Sequence, residues 1–170
     1  KEFVYRLRGE HTTERLVSMG MHVGKDFKRL KGVILDPSHC WLIDIGDRVT
    51  MAPGVHILCH DASTKTALGY TIGNNVFIGA SSVVLPGVTI GDDVIIGVNS
   101  TVTHDIPAGM VAAGCPARVL CTTEAYLEKE RARMAHAPCY GEEYTLRRDV
   151  SMEKREQMKS ELSGRIGYID

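Results

Sequence analysis

The chain has 170 residues, a formal net charge of −1 and 44% hydrophobic residues, which predicts one soluble domain and excludes a strongly basic nucleic-acid-binding surface. No apolar run is long enough to cross a bilayer and no leader pattern is present, so we expect a cytoplasmic protein without a transmembrane segment. The five cysteines include no C-x-x-C pair, and their odd number fits a reducing compartment better than a disulfide framework.

The first predicted element is a short helix over residues 12–19. Thr12 can cap its first turn, Glu14 stands early in it, and Gly20 follows as a stop signal. The repeats that come next would otherwise leave apolar ladders and strand edges open to water at their first coil. We therefore predict an N-terminal capping segment over residues 1–22.

From residue 23 onward, aliphatic residues return with a period of six, irregularly at first and strictly between Ile72 and Ile106. This period matches neither a helix nor an alternating strand, and it is too strict for the turns of a β-sandwich, so it predicts a solenoid of short strands and tight turns. Several of these aliphatic residues are followed by glycine: Gly73, Gly79, Gly91 and Gly97. We expect these glycines to adopt turn angles that a Cβ forbids.

The repeat is interrupted between Ile57 and Ile72, which are fifteen positions apart rather than a multiple of six. Residues 59–70 are polar and lack the repeat, so we expect a loop that leaves the solenoid at a coil corner. Loops on a rigid scaffold often carry function, and His60 stands at the start of this one.

The repeat ends after Pro107, and the remaining chain has helical character. Residues 122–135 carry acidic side chains early and basic ones late, an order that suits a helix dipole, and a weaker helix is predicted over residues 151–162. We predict a solenoid over residues 23–120 and a C-terminal helical extension over residues 121–170.

Four stretches are typical of one protein family: Ile-Gly-Asn-Asn-Val-Phe-Ile-Gly-Ala (72–80), Leu-Pro-Gly-Val-Thr-Ile-Gly-Asp (85–92), Asp-Ile-Pro (105–107) and Ala-Gly-Cys-Pro-Ala-Arg-Val (113–119). Through them the chain resembles the hexapeptide-repeat acyltransferases, and among these the sugar and polysaccharide O-acetyltransferases most closely. The resemblance implies an all-β solenoid, wound as a left-handed parallel β-helix, and a homotrimer with active sites between subunits. Physical rules alone favour a right-handed crossover.

The resemblance also implies a reaction, in which acetyl-CoA donates an acetyl group to a hydroxyl of a sugar or of a surface-polysaccharide precursor. His60 ends a family-like stretch (51–60) and would be the general base, a role that suits imidazole because it exchanges protons near neutral pH. An acceptor on its other ring nitrogen should fix the tautomer. Asp61, Asp44 or a backbone carbonyl could supply that acceptor.

The family pattern assigns six contacts to coenzyme A: Gly79, Ala80, Val98, Thr103, His104 and Arg118. A backbone N–H near Gly79 and Ala80 would stabilise the oxyanion, and Arg118 would lie near the phosphates. The family commonly has lysine where His104 stands and a basic residue where Cys121 stands, so weaker phosphate contacts are expected.

Acceptor contacts are assigned to Asp36 and Asp61, because Asp36 resembles an acidic residue that contacts the sugar and a carboxylate can accept from two hydroxyls.

Three other functions remain open. A chloramphenicol-type xenobiotic acetyltransferase would differ in its acceptor, and a catalytically silent subunit would lack activity. A zinc-dependent carbonic anhydrase on the same β-helix would need three histidines, and His56 and His60 would require a third from His22 or His39. The Gly-Cys-Pro-Ala-Arg ending favours the acyltransferases, and we predict that no metal is required.

Overall fold

A computed structural model of the chain describes residues 11–145 and 147–169. The chain divides between Thr123 and Glu124 into an N-terminal unit that holds the repeats and a C-terminal unit that holds most of the helical residues. The first ten residues of the predicted capping segment 1–22 lie outside the described residues.

The first helix in the described part of the N-terminal unit is α1 (Thr13–Ser18), where the sequence predicts it. Thr12 Oγ1 accepts a hydrogen bond from Arg15 N–H at 3.2 Å, which satisfies one of the free donors of the first turn. Leu16 is completely buried and belongs to the main core cluster. One apolar side chain therefore fastens the helix to the core.

Very short strands form three parallel sheets, here named A, B and C. Sheet A contains β1 (His22–Val23), β4 (Ile43–Ile45), β9 (Tyr70–Ile72) and β12 (Thr89–Ile90). Sheet B contains β2 (Lys28–Arg29), β5 (Thr50–Met51), β10 (Phe77–Ile78), β13 (Ile95–Ile96) and β15 (Met110–Gly114), with β16 (Ala117–Thr122) antiparallel at its edge. Sheet C contains β3 (Ile34–Leu35), β6 (His56–Ile57), β11 (Val83–Val84) and β14 (Thr101–Val102). The chain visits the sheets in turn, which confirms the predicted solenoid.

The core is built from the aliphatic positions of the repeat, stacked in register. Ile78 lies opposite Met51 on one side and opposite Ile96 on the other. The six strictly spaced aliphatic side chains are all buried: Ile72, Ile78, Val84, Ile90, Ile96 and Val102. Removing each such side chain from water contributes roughly 1.5–3 kcal/mol, so the ladder is a main source of stability.

The glycines of the repeat are required by the close packing of neighbouring coils and not by the turn angles that the sequence predicted. A Cβ on Gly79 would lie 2.6 Å from Val98 N and 2.7 Å from Gly97 C, in the next coil. Left-handed backbone angles occur instead two residues after each of these glycines, at Asn75, Ser81, Asp93 and Asn99. The expectation of special turn angles at the glycines was therefore wrong. Glycine is required because successive coils approach too closely for a side chain.

The interruption at residues 59–70 is a hairpin on the solenoid. Strand β7 (His60–Asp61) pairs antiparallel with β8 (Thr66–Ala67), and the chain re-enters sheet A at β9. A short 3-10 turn (Cys40–Leu42) lies in the coil before it, between β3 and β4. Two irregular segments thus follow successive strands of sheet C.

The C-terminal unit contains all but the first residue of helix α2 (Thr123–Met134). It also contains helix α3 (Met152–Glu161), a 3-10 turn (Glu142–Tyr144) and the parallel pair β17 (Cys139–Tyr140) and β18 (Tyr168–Ile169). Both helices fall where the sequence predicts them. Buried Tyr140 donates a hydrogen bond from Oη to Glu161 at 2.8 Å, which ties the first strand to α3. Among the described residues, no helix has the length and apolar character that a membrane span requires.

Candidate active site

Sheet C brings two distant side chains to one corner of the solenoid. Leu35 and Ile57 lie opposite each other in β3 and β6, and Asp36 follows the first of these strands directly. His60 begins the hairpin shortly after the second strand. The two residues are 24 positions apart in sequence, yet stacking of the coils makes them neighbours.

His60 and Asp36 form a close pair, with His60 Nδ1 lying 2.5 Å from Asp36 Oδ2. The Asp36 side chain is 2% exposed, whereas that of His60 is 39% exposed. Ser38 N–H donates to Asp36 Oδ1 at 2.9 Å, and Cys59 N–H donates to Oδ2 at 3.0 Å. Because the backbone fixes the carboxylate, the carboxylate can fix the imidazole with its proton on Nδ1, which leaves Nε2 to accept a proton.

The environment of Asp36 keeps it ionised. Burial raises the pKa of Asp36, but hydrogen bonds from Cys59 N–H, from His60 and from Ser38 N–H together lower that pKa by more, so it lies below its ordinary value. The anion can therefore stabilise the imidazolium that forms when His60 accepts a proton.

The two carboxylates named from the sequence as possible partners of His60 are occupied elsewhere, so those predictions were wrong. Asp61 Oδ1 accepts from Ser63 N–H at 2.8 Å and from Ser63 Oγ at 2.6 Å. Asp44 Oδ1 lies 2.6 Å from His22 Nδ1. The signal for Asp36 lies in the stacking of the coils: it directly follows Leu35, which pairs with Ile57, three residues before His60. The predicted acceptor contacts of Asp36 and Asp61 stay predictions.

Three of the predicted coenzyme A contacts follow the strands of sheet B. Gly79 and Ala80 follow β10, and Val98, which is 70% exposed, stands at the equivalent place after β13. Gly79 N–H donates to Ile96 O at 2.8 Å, whereas the Ala80 N–H makes no hydrogen bond within the described part of the chain. Of the two predicted oxyanion donors, Ala80 is thus the one with a free N–H.

The other three predicted contacts lie later in the chain, two of them after a strand and one within a strand. Thr103 and His104 follow β14 of sheet C, the sheet that also positions Asp36, and Thr103 Oγ1 lies 2.8 Å from His104 Nδ1. Arg118 is exposed in β16, opposite Ala113 of β15. Contact of these residues with coenzyme A stays a prediction.

Asp36, His39 and His60 form the one group of potential metal ligands found among the described residues, with ligand atoms within 4.8 Å of one another. His56, which the zinc alternative required, is outside this group. Two ligands of one tetrahedral zinc ion, each about 2 Å from the metal, lie farther apart than hydrogen-bonded atoms. The separation of 2.5 Å between His60 Nδ1 and Asp36 Oδ2 therefore suits an acid–base pair better than a metal centre.

Cys59, beside the candidate base, is an unsuitable nucleophile. Its side chain is completely buried. Burial, followed by the negative charge of Asp36 and the neighbouring Cys40, raises the pKa of the Cys59 thiol to about 12. Because the thiolate is the reactive form, this cysteine is inert at neutral pH.

The chain matches a protein-family model and a known protein, and both matches indicate the family to which it belongs. A family model described as "Bacterial transferase hexapeptide (six repeats)" matches residues 69–104. The chain is also 37% identical over 143 residues to Protein CapG of Staphylococcus aureus, with 76% of this chain and 81% of CapG covered.

The solved structures that resemble the solenoid include two sugar acetyltransferases. A maltose O-acetyltransferase from Clostridium difficile 630 is 42% identical, with a TM-score of 0.54 over 61% of this chain and 59% of its own. A galactoside acetyltransferase in complex with coenzyme A is 33% identical, with a TM-score of 0.51 over 64% of this chain and 58% of its own. The chain thus spans somewhat more than half of either enzyme. Together with the repeat match and the extent of similarity to CapG, these findings show that the chain belongs to the bacterial hexapeptide-repeat transferase family.

Proposed function

We propose that the protein transfers an acetyl group from acetyl-coenzyme A to a hydroxyl of a sugar or of a surface-polysaccharide precursor. The observation that carries this proposal is the pairing of half-exposed His60 with buried, ionised Asp36 at the corner where the hairpin departs. The two similar structures support the chemistry, since one is a maltose O-acetyltransferase and the other is a galactoside acetyltransferase bound to coenzyme A.

In the proposed mechanism, Nε2 of His60 removes the proton of the acceptor hydroxyl while the hydroxyl oxygen attacks the thioester carbonyl carbon. Asp36 stabilises the resulting imidazolium through Nδ1. In this mechanism the N–H of Ala80 donates a hydrogen bond to the oxyanion of the tetrahedral intermediate, a role supported by its lack of a partner within the described part of the chain. Breaking the carbon–sulfur bond then releases coenzyme A as a thiolate, which takes the proton from His60. The products are an acetyl ester and free coenzyme A, and no covalent acyl-enzyme is formed.

The assembly that we propose for this reaction is a homotrimer of left-handed coils with active sites between subunits. Its support is the family relationship, together with apolar side chains left in water on the strands and corners of the solenoid, among them Val98 (70% exposed), Phe77 (43%) and Ile34 (39%). Enclosing coenzyme A takes two facing surfaces, which a second subunit would complete. Light scattering at micromolar concentration should give three times the mass of one chain, and a monomer would contradict the proposal.

The general-base role is tested by measuring thiol release from acetyl-coenzyme A in the presence of a panel of sugars and nucleotide sugars. His60→Ala should lower the transfer rate by about 10²–10⁴-fold with the fold intact. His22→Ala is the matched control, because His22 also pairs with an aspartate but does so on an exposed surface, and it should leave the rate unchanged. Normal turnover in His60→Ala would remove His60 from the mechanism.

A further inference from the structure

We propose that His39 and Trp41 form the surface against which the sugar ring of the acceptor lies while its hydroxyl meets His60. This inference rests on the proposed acetyl-transfer function and adds the residues that hold the acceptor.

The three rings form a continuous row at the candidate site. The ring centroids of His39 and His60 are 5.4 Å apart with their planes inclined by 50°. Those of His39 and Trp41 are 5.5 Å apart in an edge-on arrangement at 63°. A molecule in contact with Trp41 and His39 therefore has one end beside the candidate base.

Trp41 is held out in water by a rigid support. Its neighbour Cys40 is completely buried, with Sγ donating to Leu16 O at 3.7 Å, and Leu42 packs partly buried against the core. Between them Trp41, the sole tryptophan of the chain, is 56% exposed. Gly20 leaves room for it, since a Cβ there would lie 3.0 Å from Trp41 Cβ. A large aromatic ring exposed next to a catalytic candidate indicates a binding surface rather than a packing residue.

His39 adds an unusual feature at the centre of the row. Its Nδ1 is buried and has no hydrogen-bond partner among the described residues. A buried polar atom without a hydrogen-bond partner destabilises the fold, so its position calls for an explanation. The His39 ring is only partly buried, so its accessible part, rather than Nδ1, would contact the acceptor, and that contact explains why the ring lies between His60 and Trp41.

The chemistry of this surface fits a saccharide. A pyranose ring presents a flat face of C–H groups and an edge of hydroxyls, and aromatic side chains offer a flat apolar face with a polar tip. Such a surface would orient the pyranose ring without forming a hydrogen bond to each of its hydroxyl groups. The hydroxyl that extends beyond His39 toward His60 would then be the one that is acetylated.

Because Trp41 is the sole tryptophan, its fluorescence reports directly on the proposed surface. Titration of the wild-type protein with methyl β-galactopyranoside, methyl α-glucopyranoside or maltose should change the emission and reach saturation. Glycerol at the same concentration, which has hydroxyls but no ring, should give no saturable change.

Variants connect binding to turnover. Trp41→Ala should raise the acceptor KM by about tenfold, the effect of losing one aromatic contact, and leave the acetyl-coenzyme A KM unchanged. Trp41→Phe should restore most of the affinity. Met152→Ala is the control, because Met152 is 67% exposed in the C-terminal unit and should change neither constant.

The outcomes separate this inference from the proposed function. Saturable fluorescence changes without acetyl transfer would support the sugar surface and overturn the proposed reaction. Acetyl transfer to sugars with a silent tryptophan and an unchanged acceptor KM in Trp41→Ala would overturn the sugar surface alone. Neither binding nor transfer with any saccharide would overturn both.

Discussion

Asp36 Oδ2 lies 2.5 Å from His60 Nδ1, and the same oxygen accepts a hydrogen bond of 3.0 Å from the backbone N–H of Cys59, the residue before His60. One buried oxygen thus fixes both the backbone and the imidazole at the start of the hairpin. The imidazole of His60 is thus positioned by Asp36 in the preceding coil rather than by its own hairpin. A substitution at Asp36 should therefore change the orientation of the His60 ring.

The first prediction concerns catalysis by this pair. Asp36→Asn removes the charge that stabilises the imidazolium, and it should lower kcat by about 10²–10⁴-fold while the acetyl-coenzyme A KM stays the same. Asp44→Asn is a matched control, because Asp44 makes a similar contact of 2.6 Å with His22 on an exposed surface. Steady-state kinetics of both variants check the prediction, and equal rates in the two would show that Asp36 does not act through His60.

The second prediction concerns stability against pH. The pKa of Asp36 is lower in the folded protein than its unfolded value of about 3.9, so the unfolded chain binds more protons in this range and the pair stabilises the fold at higher pH. Its contribution should be complete above about pH 5 and should be lost as the pH falls through the folded pKa. Urea unfolding of wild type and Asp36→Asn at a series of pH values should show a free-energy difference that shrinks below about pH 4. A difference that stays constant down to pH 3 would contradict it.

The third prediction concerns the cysteine beside the base. With its thiol pKa raised to about 12, Cys59 should resist iodoacetamide in the native protein, whereas exposed Cys115 and Cys139 should react. Mass spectrometry of peptides after brief labelling checks this. Cys59→Ala should retain kcat within about twofold and cost roughly 1 kcal/mol of stability. A large loss of kcat in a folded Cys59→Ala protein would contradict this prediction and show that the thiol takes part in the reaction.

The repeat made much of the fold predictable from sequence. A strict period of six has few structural solutions, and each hexad adds one buried aliphatic residue, so the solenoid and the interruption after Ile57 follow from spacing alone. Helices α2 and α3 could be placed because charge order and capping residues are local signals.

The contacts between coils were harder to predict because they depend on which residues stack. Asp36 was assigned to the acceptor, and its bond to His60 appears only when β3 is set beneath β6. The reason for Gly79 likewise lies in the next coil, where Val98 N leaves no room for a Cβ. Trp41 gave no signal, and His39 was considered only as a ligand in the zinc alternative. Neither residue follows the repeat, and the row of rings that includes His60 forms only in three dimensions.

The last prediction concerns His104, where the family commonly has lysine. If this position faces the phosphates of coenzyme A, a permanent cation there should bind them more tightly than imidazole does. His104→Lys should lower the acetyl-coenzyme A KM by about fivefold, equivalent to roughly 1 kcal/mol for an exposed charge pair. The variant also loses the contact of 2.8 Å with Thr103 Oγ1, which joins two solvent-accessible side chains and should cost little stability.

The salt dependence of the acetyl-coenzyme A KM shows whether the tighter binding of His104→Lys is electrostatic. Charges in water interact over about 10 Å at 0.1 M ionic strength but over only about 3 Å at 1 M. The advantage of His104→Lys should therefore be largest at low salt and nearly vanish near 1 M. His136→Lys, which adds the same charge at an exposed histidine of the C-terminal unit, should leave the KM unchanged. If His104→Lys and His136→Lys give the same KM at every salt concentration, position 104 does not face the phosphates, and Arg118 becomes the remaining predicted cation for them.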